Sequence, residues 1–205
     1  MIPKIIHYCW FGPKAYSQTV RKCMVTWKRH LSDYRFCLWN EQTCANYAAT
    51  HGVPNPMEHP FVQSAYRAKK YAFVADYVRF WALYYMGGVY LDTDMYVVRS
   101  FDALLDAEFF GGWETAEGSA QHSTDGIVSC GALGAANPRP LLLQHNEATI
   151  YPYDYFYPLP YQERYVWRKC KYNTPNTYAV HLWDVSWGKR QAKMRDWIVY
   201  VISRS

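Results

Sequence analysis

The stretch "FVADYVRFWALYYMGGVYLDTDMYVV", residues 73–98, decides how this chain is read. Its first half has helical spacing. Ala68, Ala72, Ala75, Arg79, Ala82 and Met86 fall along one mostly small, apolar stripe, which predicts a helix from about Phe61 to Met86. Gly87-Gly88 is the expected stop. The second half reads as a strand, yet it carries Asp92 and Asp94. Side chains two apart on a strand share a face, with Cα atoms roughly 6.5–7 Å apart. Two like charges on an apolar strand repel and lose hydration, so the pair persists only if something compensates it. A hard divalent cation does so, because carboxylate oxygens are its preferred ligands. A strand end open to water would serve as well, and D-x-D alone leaves both readings open. Asp76 and Arg79, three apart, share a helix face beside this strand. They are either an internal ion pair or a site at which Asp76 accepts ligand hydroxyls and Arg79 holds an oxygen-rich ligand.

Outward from this stretch, helices and strands alternate. "PKIIHYCWF", residues 3–11, predicts a first buried strand ended by Gly12-Pro13. Residues 17–30 predict a helix capped by Ser17, with Val20, Met24 and Trp27 on its apolar face. "YRFCLWN", 34–40, is a second strand, followed by a short helix from Glu41 and a proline-marked loop, "HGVPNPMEHP". Further strands are expected at 109–113 and 127–133, a helix at 140–149, and a Tyr/Pro loop at 150–165. "TYAVHLW", 177–183, is a late strand, and a closing helix is expected at 187–203. Such alternation predicts an α/β sheet. With no linker-like break, residues 1–205 are expected to form one domain.

The 205 residues are half hydrophobic and 19% aromatic, which excludes disordered and fibrous classes. No apolar run is long enough to cross a membrane, and the N-terminus lacks the pattern of a signal peptide, so a cytoplasmic location is expected. Cys9, Cys23, Cys37, Cys44, Cys130 and Cys170 form no C-x-x-C pair, which argues for reduced, mostly buried thiols over a zinc site. His7 reads as a core histidine. The net charge of +5 is uneven: from Arg164 onward nine Lys/Arg face two Asp, which leaves the first 163 residues at −2. A basic tail suggests an anionic partner, either a phosphorylated ligand or a membrane surface at the inner face of the cell. No recognised motif supports nucleic acid.

Three blocks carry a family resemblance: "IPKIIHYCWFG" at 2–12, "AYRAKKYAFVADYVRFWALYYMGGVYLDTD" at 65–94, and "TYAVHLWDVSW" at 177–187. The chain resembles the DXD-containing sugar transferases of the capsular-polysaccharide and mannosyl type (glycosyltransferase family 32-like), with the glucosylating-toxin catalytic domains as distant relatives. The resemblance implies a GT-A fold, a Rossmann-like single domain with a mixed, mainly parallel sheet. It implies a nucleotide-sugar donor (a UDP-sugar, or GDP-mannose), a divalent metal (Mn2+, or Mg2+), and transfer of a hexose with retention. The implied acceptor is a saccharide or lipid-linked saccharide, in surface-polysaccharide synthesis such as capsule or lipopolysaccharide.

Residue by residue, Trp10 matches the aromatic that stacks on the donor base, and Asp76 and Arg79 match the pair that binds the donor sugar. Asp92 matches the carboxylate touching ribose and metal, and Asp94 the direct metal ligand. His181 lies where relatives place a metal or diphosphate contact. Ser186 and Trp187 resemble a pair that closes over the diphosphate. Asp76, Arg79, Asp92 and Asp94 are thus the expected catalytic set, with no carboxylate nucleophile among them. Two other classes explain parts of the pattern: a non-catalytic sugar-binding module, and a haloacid-dehalogenase-type phosphohydrolase. The latter needs its D-x-D near the N-terminus, where this chain has 91 residues before Asp92.

Overall fold

The computed structural model describes residues 1–115, 127–136, 148–164 and 169–184. The chain begins with strand β1 (Ile5–Cys9), helix α1 (Gln18–His30), strand β2 (Arg35–Trp39) and helix α2 (Glu41–His51). Helices α3 (Pro60–Arg67) and α4 (Tyr71–Met86) lead into strands β3 (Gly88–Leu91) and β4 (Met95–Val97). Strands β5 (Phe109–Trp113), β6 (Val128–Ala135), β7 (Ala148–Tyr151) and β8 (Ala179–His181) complete the described elements. The main sheet runs β2-β1-β3-β6-β5-β7, and β4 pairs with β8 in a separate two-stranded ribbon. β1 is parallel to both β2 and β3, β6 is antiparallel to β3 and β5, and β7 is parallel to β5. This is the mixed α/β architecture expected for a GT-A domain.

Most predicted elements form where the local signals place them. Ser17 caps α1, its hydroxyl accepting from the Val20 N–H at 3.2 Å. Two expectations fail. The helix foreseen from Phe61 to Met86 is two helices, because residues 65–70 close a Schellman-type end. The N–H of Lys70 bonds the Ala65 carbonyl and that of Lys69 bonds Tyr66, with Lys69 at φ 57. A lysine there gives none of glycine's warning, and Ala68 leaves the stripe it was assigned to. The strand foreseen through both aspartates is also broken: β3 stops at Leu91, and a turn closed by Met95 N–H to the Asp92 carbonyl (3.0 Å) sends β4 out of the main sheet. The helix expected at 140–149 falls mainly outside the described residues, and its last two residues open β7. The closing helix at 187–203 lies wholly outside them.

The sheet carries a core on each face. Val89 and Leu91 of β3 pack with Ile6, Trp27, Met95, Phe110 and Phe156, while Tyr90 between them packs with Trp39, Val74, Val78 and Trp81. β3 is therefore buried on both sides, which explains its unbroken apolar run. Gly88 sits at φ +100, where a Cβ would come within 2.8 Å of the Ile5 carbonyl oxygen, so the α4–β3 corner needs glycine. His7, fully buried, braces that corner. Its Nδ1 accepts from Trp39 Nε1–H at 3.0 Å, so Nε2 carries the proton and donates it to the Gly87 carbonyl at 2.7 Å. Helix α1 holds the ribbon from the other side. Trp27 Nε1–H donates to the Met95 carbonyl at 2.6 Å, and Thr26 Oγ1 accepts from the Val97 N–H at 3.0 Å. Of the five free cysteines among the described residues, Cys9, Cys23, Cys37 and Cys44 are buried or half-buried, whereas Cys130 is exposed. Among the described residues, no helix is long and apolar enough to cross a membrane.

Candidate active site

Two parallel strands end together at one edge of the sheet. The register pairs His7 with Tyr90, so the residues that follow β1 and β3, Trp10 and Asp92, leave from the same carboxyl edge. Crevices at such edges are the usual ligand sites of α/β sheets. The turn after β3 then gathers the acidic pair. Ligand atoms of Asp92, Asp94 and His181 all lie within 4.8 Å of one another, although His181 is far away in sequence. A turn, and not the alternation of one strand, brings the two carboxylates together.

Asp94 is clamped by the late block. Its Oδ1 lies 3.1 Å from His181 Nε2, its Oδ2 accepts the Asp184 N–H at 2.8 Å, and its carbonyl accepts the Leu182 N–H at 3.1 Å. Burial alone would raise its pKa, but the His181 ring and the Asp184 N–H outweigh that and hold it below the ordinary value. Burial likewise pulls against a charged His181, yet the Asp94 carboxylate carries its pKa above the usual value. Asp184 also reaches back to α1, its Oδ2 accepting from the capping Ser17 hydroxyl at 2.6 Å. One serine thus caps a helix and ties the late block to it.

Asp92 is fixed from three directions. Its N–H donates to the Gly131 carbonyl at 2.8 Å, and Oδ1 accepts from the Tyr90 hydroxyl at 2.9 Å. Burial pushes the Tyr90 pKa well up, so that hydroxyl stays protonated and donates. The third contact is Arg79, whose Nη2 lies 3.6 Å from Asp92 Oδ1. The same Nη2 donates to Asp76 Oδ1, Nη1 donates to the Cys130 carbonyl, and the guanidinium lies 4.6 Å above the Tyr90 ring. With 6% of its side chain exposed, Arg79 is a strut joining α4, β3 and β6. Asp76 is the open member of the pair, with 41% of its side chain in solvent. Desolvation raises its pKa somewhat against the pull of Arg79, and the remaining exposure limits that rise.

Trp10 stands apart from the carboxylates. Its Nε1–H donates to the Lys14 carbonyl at 2.7 Å, and it lines an open cleft of about 410 Å³ with Lys14, Ala15, Tyr16 and Arg21. The fold thus places Asp76, Arg79, Asp92, Asp94 and His181 in one region and Trp10 along the same sheet edge. Ser186 and Trp187 lie outside the described residues. Tyr90, Asp184 and Tyr157 were not singled out from the sequence, and Ser17 was read only as a helix cap. Tyr157 is buried, accepts the Ala132 N–H at 2.9 Å, and meets the His181 ring edge-on. The hydroxyl in "GVYLD", two residues before Asp92, and the place of Asp184 within the 177–187 block were the available sequence signals; nothing marked Tyr157.

A divalent cation fits this donor set. Two carboxylates and an imidazole are typical ligands, and His181 Nδ1 is buried with no hydrogen-bond partner among the described residues. His181 and the two aspartates would hold it.

Residues 17–110 match a family model described as "Glycosyltransferase sugar-binding region containing DXD motif". The chain is similar to inositol phosphoceramide mannosyltransferase 3 of Schizosaccharomyces pombe, at 29% identity over 70% of this chain and 36% of that protein. Inositol phosphoceramide mannosyltransferase 1 of the same organism is 26% identical over 96% of this chain and 66% of that protein. The chain therefore spans between 36% and 66% of the length of these two relatives. A solved structure of the PaToxG glycosyltransferase aligns over 49% of this chain and 45% of that chain, at 21% identity and a TM-score of 0.37, too slight a likeness to argue from.

Proposed function

We propose that this chain is a DXD-containing glycosyltransferase that moves a hexose, mannose first among candidates, from a nucleotide-sugar donor to a saccharide or lipid-linked acceptor, with retention. The observation that carries this reading is the meeting of Asp92, Asp94 and His181 at the carboxyl edge of β1 and β3, beside the Asp76–Arg79 pair. The names of the curated relatives favour mannose, hence GDP-mannose, over the UDP-sugars, and favour a lipid-linked acceptor.

Each residue has a distinct task. Trp10 offers an aromatic face for the donor base at the cleft. Asp76, open to solvent, accepts hydroxyls of the donor sugar. Arg79 and Tyr90 fix the Asp92 carboxylate, so its orientation is set before the donor arrives. Asp94 and His181 complete the cation site, held by the Asp184 N–H. A divalent cation bound there, Mn2+ or Mg2+, would neutralise charge on the departing diphosphate. The buried surroundings make such interactions stronger than they would be in water.

The test is a panel of GDP-mannose, UDP-glucose and UDP-galactose, scored for nucleoside diphosphate released with Mn2+. The expected result is slow, metal-dependent hydrolysis of one donor, fastest with GDP-mannose, and none in chelator. Binding without turnover of any donor, or unchanged turnover in chelator, would remove the proposal.

A further inference from the structure

We propose that α1 is a membrane-docking face, which seats the mouth of the donor cleft against an anionic lipid surface. From Phe11 to Ser32 the chain carries Lys14, Arg21, Lys22, Lys28 and Arg29 and no Asp or Glu. The rest of the first 163 residues must therefore be net acidic, so this positive patch is concentrated and is not average surface. At 100° per residue, Arg21, Lys22, Val25, Lys28 and Arg29 fall within an arc of about 120°. All five are exposed, while Val20, Cys23, Thr26 and Trp27 on the opposite side are buried against β4 and the core. Among the described residues, none of these four cations makes an ion pair.

Val25 decides what this face meets. It is 59% exposed and sits at the middle of the arc, flanked by cations on both sides. An aliphatic side chain ringed by positive charge suits a lipid surface, where the cations meet headgroup phosphates and the side chain enters the interface. It gives nothing to a nucleic-acid backbone. The face also points the right way for an acceptor held in lipid. Arg21 lines the Trp10 cleft, and the α1 cap Ser17 is bonded to Asp184 beside Asp94. Docking through α1 therefore brings the entrance of the site to the membrane. Contact through this face is electrostatic and reversible, and salt weakens it.

The test is flotation of the full chain with phosphatidylcholine vesicles, with and without phosphatidylserine, at low ionic strength. Three proteins are compared: wild type, a triple variant Lys22→Gln, Lys28→Gln, Arg29→Gln, and a variant of the basic tail, the other positive segment of the sequence, with Lys189, Arg190, Lys193 and Arg195 changed to Gln. Arg21 is left in place because it lines the cleft. Wild type is expected to bind only the anionic vesicles. The α1 variant is expected to partition roughly 100-fold more weakly, about fivefold per cation removed. Its donor hydrolysis in vesicle-free buffer is expected to be unchanged. As a reading that needs no variant, acetylation of Lys22 and Lys28 in wild type should slow when anionic vesicles are added. Equal binding by the α1 variant, unprotected lysines, or loss of binding only in the second variant would overturn the proposal. Tighter binding to duplex RNA or DNA than to vesicles, lost in the α1 variant, would overturn it in favour of nucleic acid.

Discussion

His7 makes a prediction whose size follows from its surroundings. The ring is fully buried, with both nitrogens engaged in the neutral form: Nδ1 accepts from Trp39, and Nε2–H donates to Gly87. A second proton on Nδ1 would face the Trp39 N–H and a dry interior. Desolvation is the main cause that lowers its pKa from 6.5 to about 4, with a smaller push from the Arg35 charge. As pH falls from 6.5, the unfolded chain takes up this proton first, so acid favours unfolding. The effect starts near pH 6.5, is complete near pH 4, and amounts to about 3 kcal/mol at 1.36 kcal/mol per unit. Two other shifted carboxyl groups enter the lower end of this window: Glu41, lowered from 4.5, adds to the loss there, and Asp76, raised from 3.8, opposes it, so the fall between pH 6.5 and about 5 is the part that belongs to His7. Asp94 and Asp102 change below it, because their folded pKa values are depressed below 3.8. His181, raised above 6.5, changes its contribution only above the window. Urea unfolding at steps from neutral pH to about pH 4.5 should show the midpoint falling steadily. The His7 ring proton, followed by NMR, should not titrate until near pH 4. A His7 resonance titrating near 6.5, or a flat midpoint through the window, would refute the reasoning.

The remaining predictions address the site and two backbone positions. Asp94→Asn should abolish metal-dependent donor turnover while keeping the cooperative unfolding transition, since it removes a ligand charge and no core contact; retained turnover would show that the cation sits elsewhere. Trp10→Ala should weaken nucleotide binding by roughly 1–3 kcal/mol through lost stacking, read by calorimetry; an unchanged affinity would move the base away from the cleft. Gly88→Ala should destabilise by more than about 1 kcal/mol, because φ +100 and the 2.8 Å approach to the Ile5 carbonyl leave no room for a Cβ. Lys69→Gly should do the opposite: relieving a lysine at φ 57 should raise the unfolding free energy by up to about 1 kcal/mol, read as a higher urea midpoint, and a lower midpoint would contradict it.

Local signals in the sequence were enough for the parts of this protein whose energetics are local. Ser17 announces the start of α1 because its hydroxyl satisfies an N–H three residues away, and Gly87-Gly88 announces the end of α4 because no other residue takes those angles cheaply. The two-sided burial of β3 was legible in its apolar run, and the two aspartates were legible as an anomaly within it. Tertiary structure decided the rest. The break after Arg67 depends on a lysine accepting left-handed geometry, which no composition rule marks. The turn at 92–94 forms because α1 captures β4 through Trp27 and Thr26, groups some 70 residues earlier in the chain. Packing alone turned Arg79 into a buried strut and left Asp76 open, for helical spacing says only that they share a face. His181, Asp184 and Ser17 come together by β4–β8 pairing, a long-range contact without a local signature. Periodicity shows which side chains are apolar; only the packed chain determines which polar ones lose their water, and that loss is what makes a carboxylate pair into a site.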